Sequence, residues 1–198
     1  MTARLLIVGP QGSGKGTQGV RIAEAFGIPV VSTGDVFRAN VAEGTDLGKQ
    51  VTSIIDAGDL VPDELTSAVV RDRLSQPDAG EGFLLDGYPR NLAQVMHLDE
   101  FLGGRDESLD AVIALVVPRD ESLARLTARA AEQGRADDTA EAIETRLNIY
   151  ERETAPILGV YGTRGIVDEI DGVGGLDEVT ERIFAALDAR GLHRRTAE

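Results

Sequence analysis

The run Gly9-Pro10-Gln11-Gly12-Ser13-Gly14-Lys15-Gly16-Thr17 restricts the fold of this chain more than any other segment. It follows the apolar stretch Leu5–Val8 and precedes helical spacing at Val20, Ile22, Ala23 and Phe26. Strand, glycine-rich turn and helix in that order make a phosphate-binding loop. The glycines let backbone N–H groups turn inward around a polyphosphate. The helix adds its positive N-terminal end, and Lys15 adds a mobile charge for the outer phosphates. One position departs from the general pattern. Gly16 stands directly after the lysine where Ser or Thr is usual, and the hydroxyl arrives one residue later at Thr17. That form points to a particular subfamily of phosphate-loop proteins.

Beyond the loop, short apolar runs recur at Ile28–Val31, Phe83–Leu85, Val112–Val117 and Ile166–Ile170. They are rich in Val, Ile and Leu, as buried parallel strands are. The stretches between them are long enough for crossover helices. The alternation predicts an α/β fold: a five-stranded parallel sheet between two layers of helices. Ligands of such sheets bind at the carboxyl ends of the strands. Two segments read as insertions into one domain spanning 1–198: about 32–61, helical with glycine breaks, and a short one at about 128–138. The tail from Arg190 to Glu198 reads as frayed.

The formal net charge is −14 over 198 residues. A surface this acidic repels nucleic acid and anionic membranes. Cysteine is absent, and the two histidines, His97 and His193, have no partner at ligand spacing, so no zinc site is expected. No apolar run reaches bilayer length, and the first strand begins too early to leave room for a signal peptide. The expectation is a soluble cytoplasmic protein. Lysine occurs only at Lys15 and Lys49, so arginines must supply any other phosphate contacts.

Several segments follow predicted strand ends. Ser32–Arg38 brings Thr33, a hydrogen-bonding group, and Arg38 on the first turns of a helix; taken alone it reads equally well as a helix cap with a surface arginine. Phe83–Arg90 brings Asp86, an acidic residue suited to ordering Mg²⁺ or its waters. Gly87 permits close approach there, and Tyr88–Pro89 is read as a cis bond that aims Arg90. Gln94 lies one helical turn beyond Arg90. Arg125 and Arg129 share a helix face, and Arg135, Asp137, Asp138 and Arg146 follow around a short loop containing Gly134. Arg119 and Arg152 lack such spacing and read as surface residues.

The segments GPQGSGKGTQ, STGDVFR, AGDLVPDEL, GFLLDGYPRNLAQ, RLTAR and GRADDTAEAIETRL cover nearly the whole chain. In that order they resemble the adenylate kinases of the nucleoside monophosphate kinase family, in which Gly after the lysine is itself a trait. The resemblance implies reversible phosphoryl transfer from MgATP to AMP, giving two ADP. It implies that Gly12, Ser13, Gly14, Lys15, Gly16 and Thr17 hold the ATP phosphates. Arg125, Arg129 and the backbone near Gly174 would complete the ATP site. AMP would be held by Thr33, Arg38, Asp59, Leu60, Val61, Gly87, Tyr88, Pro89, Arg90 and Gln94. Arg135 and Arg146 would bridge toward the transferring group, beside the catalytic set Lys15, Asp86, Arg90 and Arg129. Mg²⁺ would be held through ATP and water near Thr17 and Asp86, with no direct protein ligand. The insert at 32–61 resembles the AMP-binding insert, and 128–138 a lid of the short form, which carries no metal site. The family resemblance suggests a monomer.

The nucleophile of such a transfer, an AMP phosphate oxygen, is already anionic, which fits a chain with no catalytic His or Ser triad. Two rival readings are weighed against this one. A UMP/CMP kinase shares the scaffold, although Thr33 and Gln94 favour adenine. A non-catalytic phosphate-loop switch needs no second phosphate clamp, against which Arg38, Arg90, Arg135 and Arg146 argue.

Overall fold

A computed structural model of the chain describes residues 3–133 and 139–195. Five strands form one sheet: β1 (Ala3–Val8), β2 (Val30–Ser32), β3 (Gly82–Asp86), β4 (Ala111–Val116) and β5 (Val167–Asp171). Their spatial order is β2-β3-β1-β4-β5, with every pairing parallel. The apolar runs thus mark the strands to within a few residues, and the three-layer α/β/α expectation holds. Residues Leu5, Leu84, Leu85, Ala111 and Val112 are fully shielded, because helices cover both faces of a parallel sheet.

Alternation along each strand divides the core in two. Leu5, Ile7, Leu84 and Ile113 face a layer built on α1 (Lys15–Phe26) and α9 (Leu176–Ala189), where Ile22, Phe26, Ile183 and Leu187 meet them. Leu6, Val8, Leu85 and Val112 face the opposite layer. That layer is formed by α4 (Asp63–Leu74), α5 (Leu92–Gly103) and α8 (Ile157–Thr163), through Val70, Leu98, Ile157 and Tyr161.

Between β2 and β3 the chain forms α2 (Thr33–Glu43) and α3 (Asp46–Ala57) before α4. These helices have a small core of their own, Phe37, Val51 and Val61, flanked by Val41, Leu47, Ile54 and Leu65. Gly48 makes the α2–α3 crossing possible. A Cβ there would lie 2.1 Å from the Asn40 carbonyl oxygen. Further along the chain, α6 (Arg119–Gln133) packs on α7 (Ala140–Ile149) through Leu126, Ile143 and Leu147. A single π-helical turn, Tyr150–Thr154, continues α7. Such turns are uncommon and cluster at functional sites.

The tail departs from expectation. Arg190 forms an ion pair with Asp168 and donates to the carbonyls of Gly165 and Val167. Leu192 packs on the core, and the Arg195 N–H donates to the Ala25 carbonyl at 2.8 Å. Local composition suggested fraying, but bonds to residues more than 20 positions away fasten residues 190–195.

Glycine positions that differ only in their surroundings test this packing. Gly48→Ala should lower unfolding stability by about 1–3 kcal/mol through steric strain. Gly159→Ala, in α8 with nothing within 4 Å of the added carbon, should leave stability unchanged or raise it by under about 1 kcal/mol. Urea unfolding midpoints compare the two; equal behaviour would contradict the close α2–α3 contact.

Candidate active site

At the carboxyl end of β1 the chain turns through Gly9–Gly14 into α1. Gly12 has φ 78° and Gly14 φ 91°, a region that disfavours side chains. Gly12 is constrained doubly, since a Cβ would lie 2.6 Å from the Ser122 carbonyl oxygen on α6. The Ser13 N–H donates to the Pro10 carbonyl, closing the turn. The first helical residue is Lys15. The loop is therefore packed against α6 and delivers the N-terminal end of α1 to the strand ends.

There it meets a cleft of about 550 Å³. Gly12, Gly14, Lys15, Gly16 and Thr17 line one side, and Thr33, Arg38, Asp59, Leu60, Val61, Gly87, Arg90 and Gln94 another. Arg125, Arg129 and Arg146 approach from α6 and α7, and Asp86 enters from the end of β3. Segments far apart in sequence converge because all leave the same edge of the sheet. Among the described residues, six cations line the cleft, Lys15, Arg38, Arg90, Arg125, Arg129 and Arg146, against three carboxylates, Asp35, Asp59 and Asp86. In a chain of net charge −14, this is a local inversion of the surface field.

Each group is held by named partners. The Lys15 ammonium donates to the Pro10 carbonyl at 3.0 Å. The Gly87 carbonyl accepts from Thr33 Oγ1 at 2.9 Å and from Arg90 Nε at 2.7 Å. Thr154, in the π-helical turn, donates to the Arg90 carbonyl at 2.8 Å. Arg38 pairs with Asp35 at 2.6 Å. Arg125 donates to Glu121 at 2.7 Å and, through both terminal nitrogens, to the Gly172 carbonyl at 3.2 Å. Gln94 is 1% exposed; its Oε1 accepts from the Arg90 N–H at 2.8 Å. The Tyr88–Pro89 peptide is cis, as read from the sequence.

Burial and neighbouring charge change proton affinity here. Burial lowers the Lys15 pKa to about 8; Asp86 opposes this, and Arg90, Arg129 and Arg146 add to it. Burial likewise lowers the Arg90 value, with Asp86 opposing and Arg146 and Arg38 adding. Both shifts come first from burial, with neighbouring cations adding, and an anionic ligand beside the group opposes them.

Four of the expected residues stand apart from the main cleft lining. Ser13 is buried within the loop, and Tyr88 is buried beneath the turn, where its hydroxyl meets Ser67 at 2.9 Å. Pro89 lines a smaller adjoining cavity with Arg146, Tyr150 and Thr154. Gly174 lies in the turn after β5 with φ 127°, two residues beyond the carbonyl that Arg125 contacts. Arg135 falls outside the described residues, as do Gly134, Asp137 and Asp138. Arg119 bonds Glu144, Glu151 and Asn148, and Arg152 bonds Glu153, so both are surface residues as expected.

Sequence reading missed Gln11, Phe37, Ile55 and Thr66, which also line the cleft. Phe37 stood within the Ser32–Arg38 segment and carried that signal; Thr66, bonded to the Val61 and Pro62 carbonyls, had none. Asp86 lies beside the phosphate loop, where a Cβ at Gly16 would come within 3.8 Å of its Oδ2. Among the described residues no cluster of three or more His, Cys, Asp or Glu is placed to hold a metal. None of the helices described is long and apolar enough to cross a membrane.

Comparison with known proteins identifies the family. The family model described as adenylate kinase aligns with residues 7–166. A curated adenylate kinase of Clavibacter michiganensis subsp. michiganensis is 60% identical over 96% of this chain and 94% of its own length. One of Leifsonia xyli subsp. xyli is 58% identical over 95% and 94%. One of Bifidobacterium longum is 55% identical over 93% of this chain and all of its own. With a phosphate loop, a facing arginine clamp and this likeness along its length, the chain belongs to the adenylate kinase family, phosphotransferases that move a phosphoryl group reversibly between ATP and AMP to give ADP.

Proposed function

We propose that the two sides of the cleft divide the substrates, with MgATP on the phosphate loop and AMP between α2, α3 and the Gly87–Gln94 turn. The observation that carries this reading is a second cationic pair, Arg38 and Arg90, lining the same cleft as Lys15. A phosphate loop alone holds one nucleotide. A further pair of arginines, with a buried amide at Gln94, supplies a separate place for a monophosphate and its base.

Lys15 and the loop amides hold the β- and γ-phosphates. Arg38 and Arg90 hold the AMP phosphate, which is anionic at neutral pH and needs no base to activate it. An AMP phosphate oxygen attacks the γ-phosphorus in line. The new P–O bond forms as the bond to the β,γ-bridging oxygen breaks, and two ADP result. Arg129 and Arg146 stabilise charge spread over the transferring group, so catalysis consists of positioning and electrostatic stabilisation. Arg135 has the same role by family resemblance. Arg125, held by Glu121 and Gly172, covers the adenine side of ATP near Gly174.

A single carboxylate and a hydroxyl, Asp86 and Thr17, both line the cleft beside the loop. That donor set suits Mg²⁺, which keeps several waters and takes most of its ligands from phosphate. When bound it neutralises charge on the β- and γ-oxygens. A role in cytoplasmic adenine nucleotide balance, as a monomer, follows the family.

Acceptor assays with ATP as donor test the substrate assignment. AMP should be phosphorylated well ahead of CMP, UMP and GMP, and EDTA should abolish turnover while a zinc-selective chelator leaves it intact. Preference for UMP or CMP would establish the pyrimidine alternative, and absence of ADP formation the switch. Lys15→Met should lower kcat by about 10²–10³ with an unchanged circular dichroism spectrum. Wild-type turnover in that variant would remove the lysine from the mechanism.

Proton linkage gives an independent check. Free protein holds fewer protons at Lys15 between pH 8 and 10.5 than an exposed lysine does, because burial lowers its pKa to about 8. Polyphosphate beside the ammonium raises that value again. ATP binding at pH 8.5 should therefore take up roughly half a proton or more, and the uptake should fall as the pH is lowered to 7. Calorimetry in two buffers of different ionisation enthalpy measures it; proton release at pH 8.5 would contradict the assignment.

A further inference from the structure

We infer that Asp63 is a positioning residue for the acceptor base, holding the Gln94 amide in a single orientation. This rests on the reading of Gln94 as the contact to the AMP base. Asp63 is the first residue of α4 and is not among the residues that line the cleft. Its Oδ1 accepts two amide hydrogen bonds, from Gln94 Nε2 at 2.7 Å and from Asn91 Nδ2 at 2.9 Å. At the other end of the same side chain, Gln94 Oε1 accepts from the Arg90 N–H at 2.8 Å.

The two ends of a primary amide are nearly equal in size, so packing alone does not choose between them. Here the partners do. A carboxylate only accepts and a backbone N–H only donates. A flipped Gln94 would set oxygen against oxygen at Asp63 and N–H against N–H at Arg90. Inside a buried pocket, losing both bonds at once is costly. The oriented amide keeps one N–H and one oxygen lone pair uncommitted by these bonds. Adenine presents a ring acceptor, N1, beside an amino donor on its Watson–Crick edge. Hypoxanthine reverses the order with N1–H and a carbonyl oxygen. An amide fixed one way therefore favours the amino purine.

The same carboxylate oxygen also governs the backbone below. Asn91 caps α5, its Oδ1 accepting from the Gln94 N–H at 2.9 Å. Asp63 holds the other end of that Asn91 amide. Side chain and main chain of Gln94 both trace to one atom on a neighbouring helix.

Steady-state kinetics with AMP or IMP as acceptor test the role in Asp63→Ala, Asp63→Asn and Gln94→Ala. Asp63→Ala should raise KM for AMP by about tenfold, equivalent to about 1.4 kcal/mol. KM for ATP should stay within about twofold, and the preference for AMP over IMP should fall. Asp63→Asn keeps an oxygen able to accept both bonds and should restore most of the AMP affinity and preference. An unchanged KM for AMP in Asp63→Ala, an equal rise in both KM values, or an Asn variant as impaired as the Ala variant would overturn the role. Gln94→Ala separates the two layers of the argument. If it leaves KM for AMP unchanged, the base-contact reading fails and takes the inference with it. If it raises KM for AMP while Asp63→Ala does not, only the role of Asp63 fails.

Discussion

Like charges repel, and among the described residues the cleft confines six cationic side chains beside the end of one sheet. Folding has to bring them there without the nucleotides that will neutralise them. Asp86 faces Lys15 and Arg90 and offsets part of the repulsion, Asp35 pairs with Arg38, and Glu121 with Arg125. Carbonyl oxygens of Pro10, Gly87 and Gly172 take further donors. The remaining cost is covered by the apolar core on both faces of the sheet. The site is thus held short of negative charge, and its affinity for polyanions is the other face of that condition.

Position follows from how each cation is attached. Lys15 sits on the first turn of α1, aimed by two left-handed glycines, Gly12 and Gly14, of which Gly12 packs against α6. Arg90 is gripped through its guanidinium by Gly87, through its N–H by Gln94 and through its carbonyl by Thr154. The three grips come from a strand end, a helix and the π-helical turn. Groups held from several elements lose little further freedom when substrate arrives, which is what preorganised electrostatic catalysis needs.

Much of this was legible in the amino-acid order because it is local. Leu5–Val8 followed by glycines and a lysine is a strand, turn and helix in one reading frame. Asp86, Arg90 and Gln94 fall at strand-end and helical spacing from one another. Gly48 was noticed only as a break, whereas its bare backbone lets α3 cross α2 against Asn40. The bonds joining Asp63 to Gln94, 31 residues away, leave no trace in periodicity, since α4 looks like an ordinary charged helix. Residues 190–195 were misread for the same reason: Arg190 and Arg195 look like a polar tail until Asp168 and the Ala25 carbonyl are seen beside them.

The lowered proton affinity of Lys15 has a chemical consequence apart from binding. An amine of pKa about 8 is unprotonated in roughly one molecule in ten at pH 7, against about one in three thousand for an ordinary lysine. Only the unprotonated form is a nucleophile. An acylating or aldehyde-bearing reagent that enters the cleft near neutral pH therefore meets a nucleophilic amine at Lys15, on the first turn of α1.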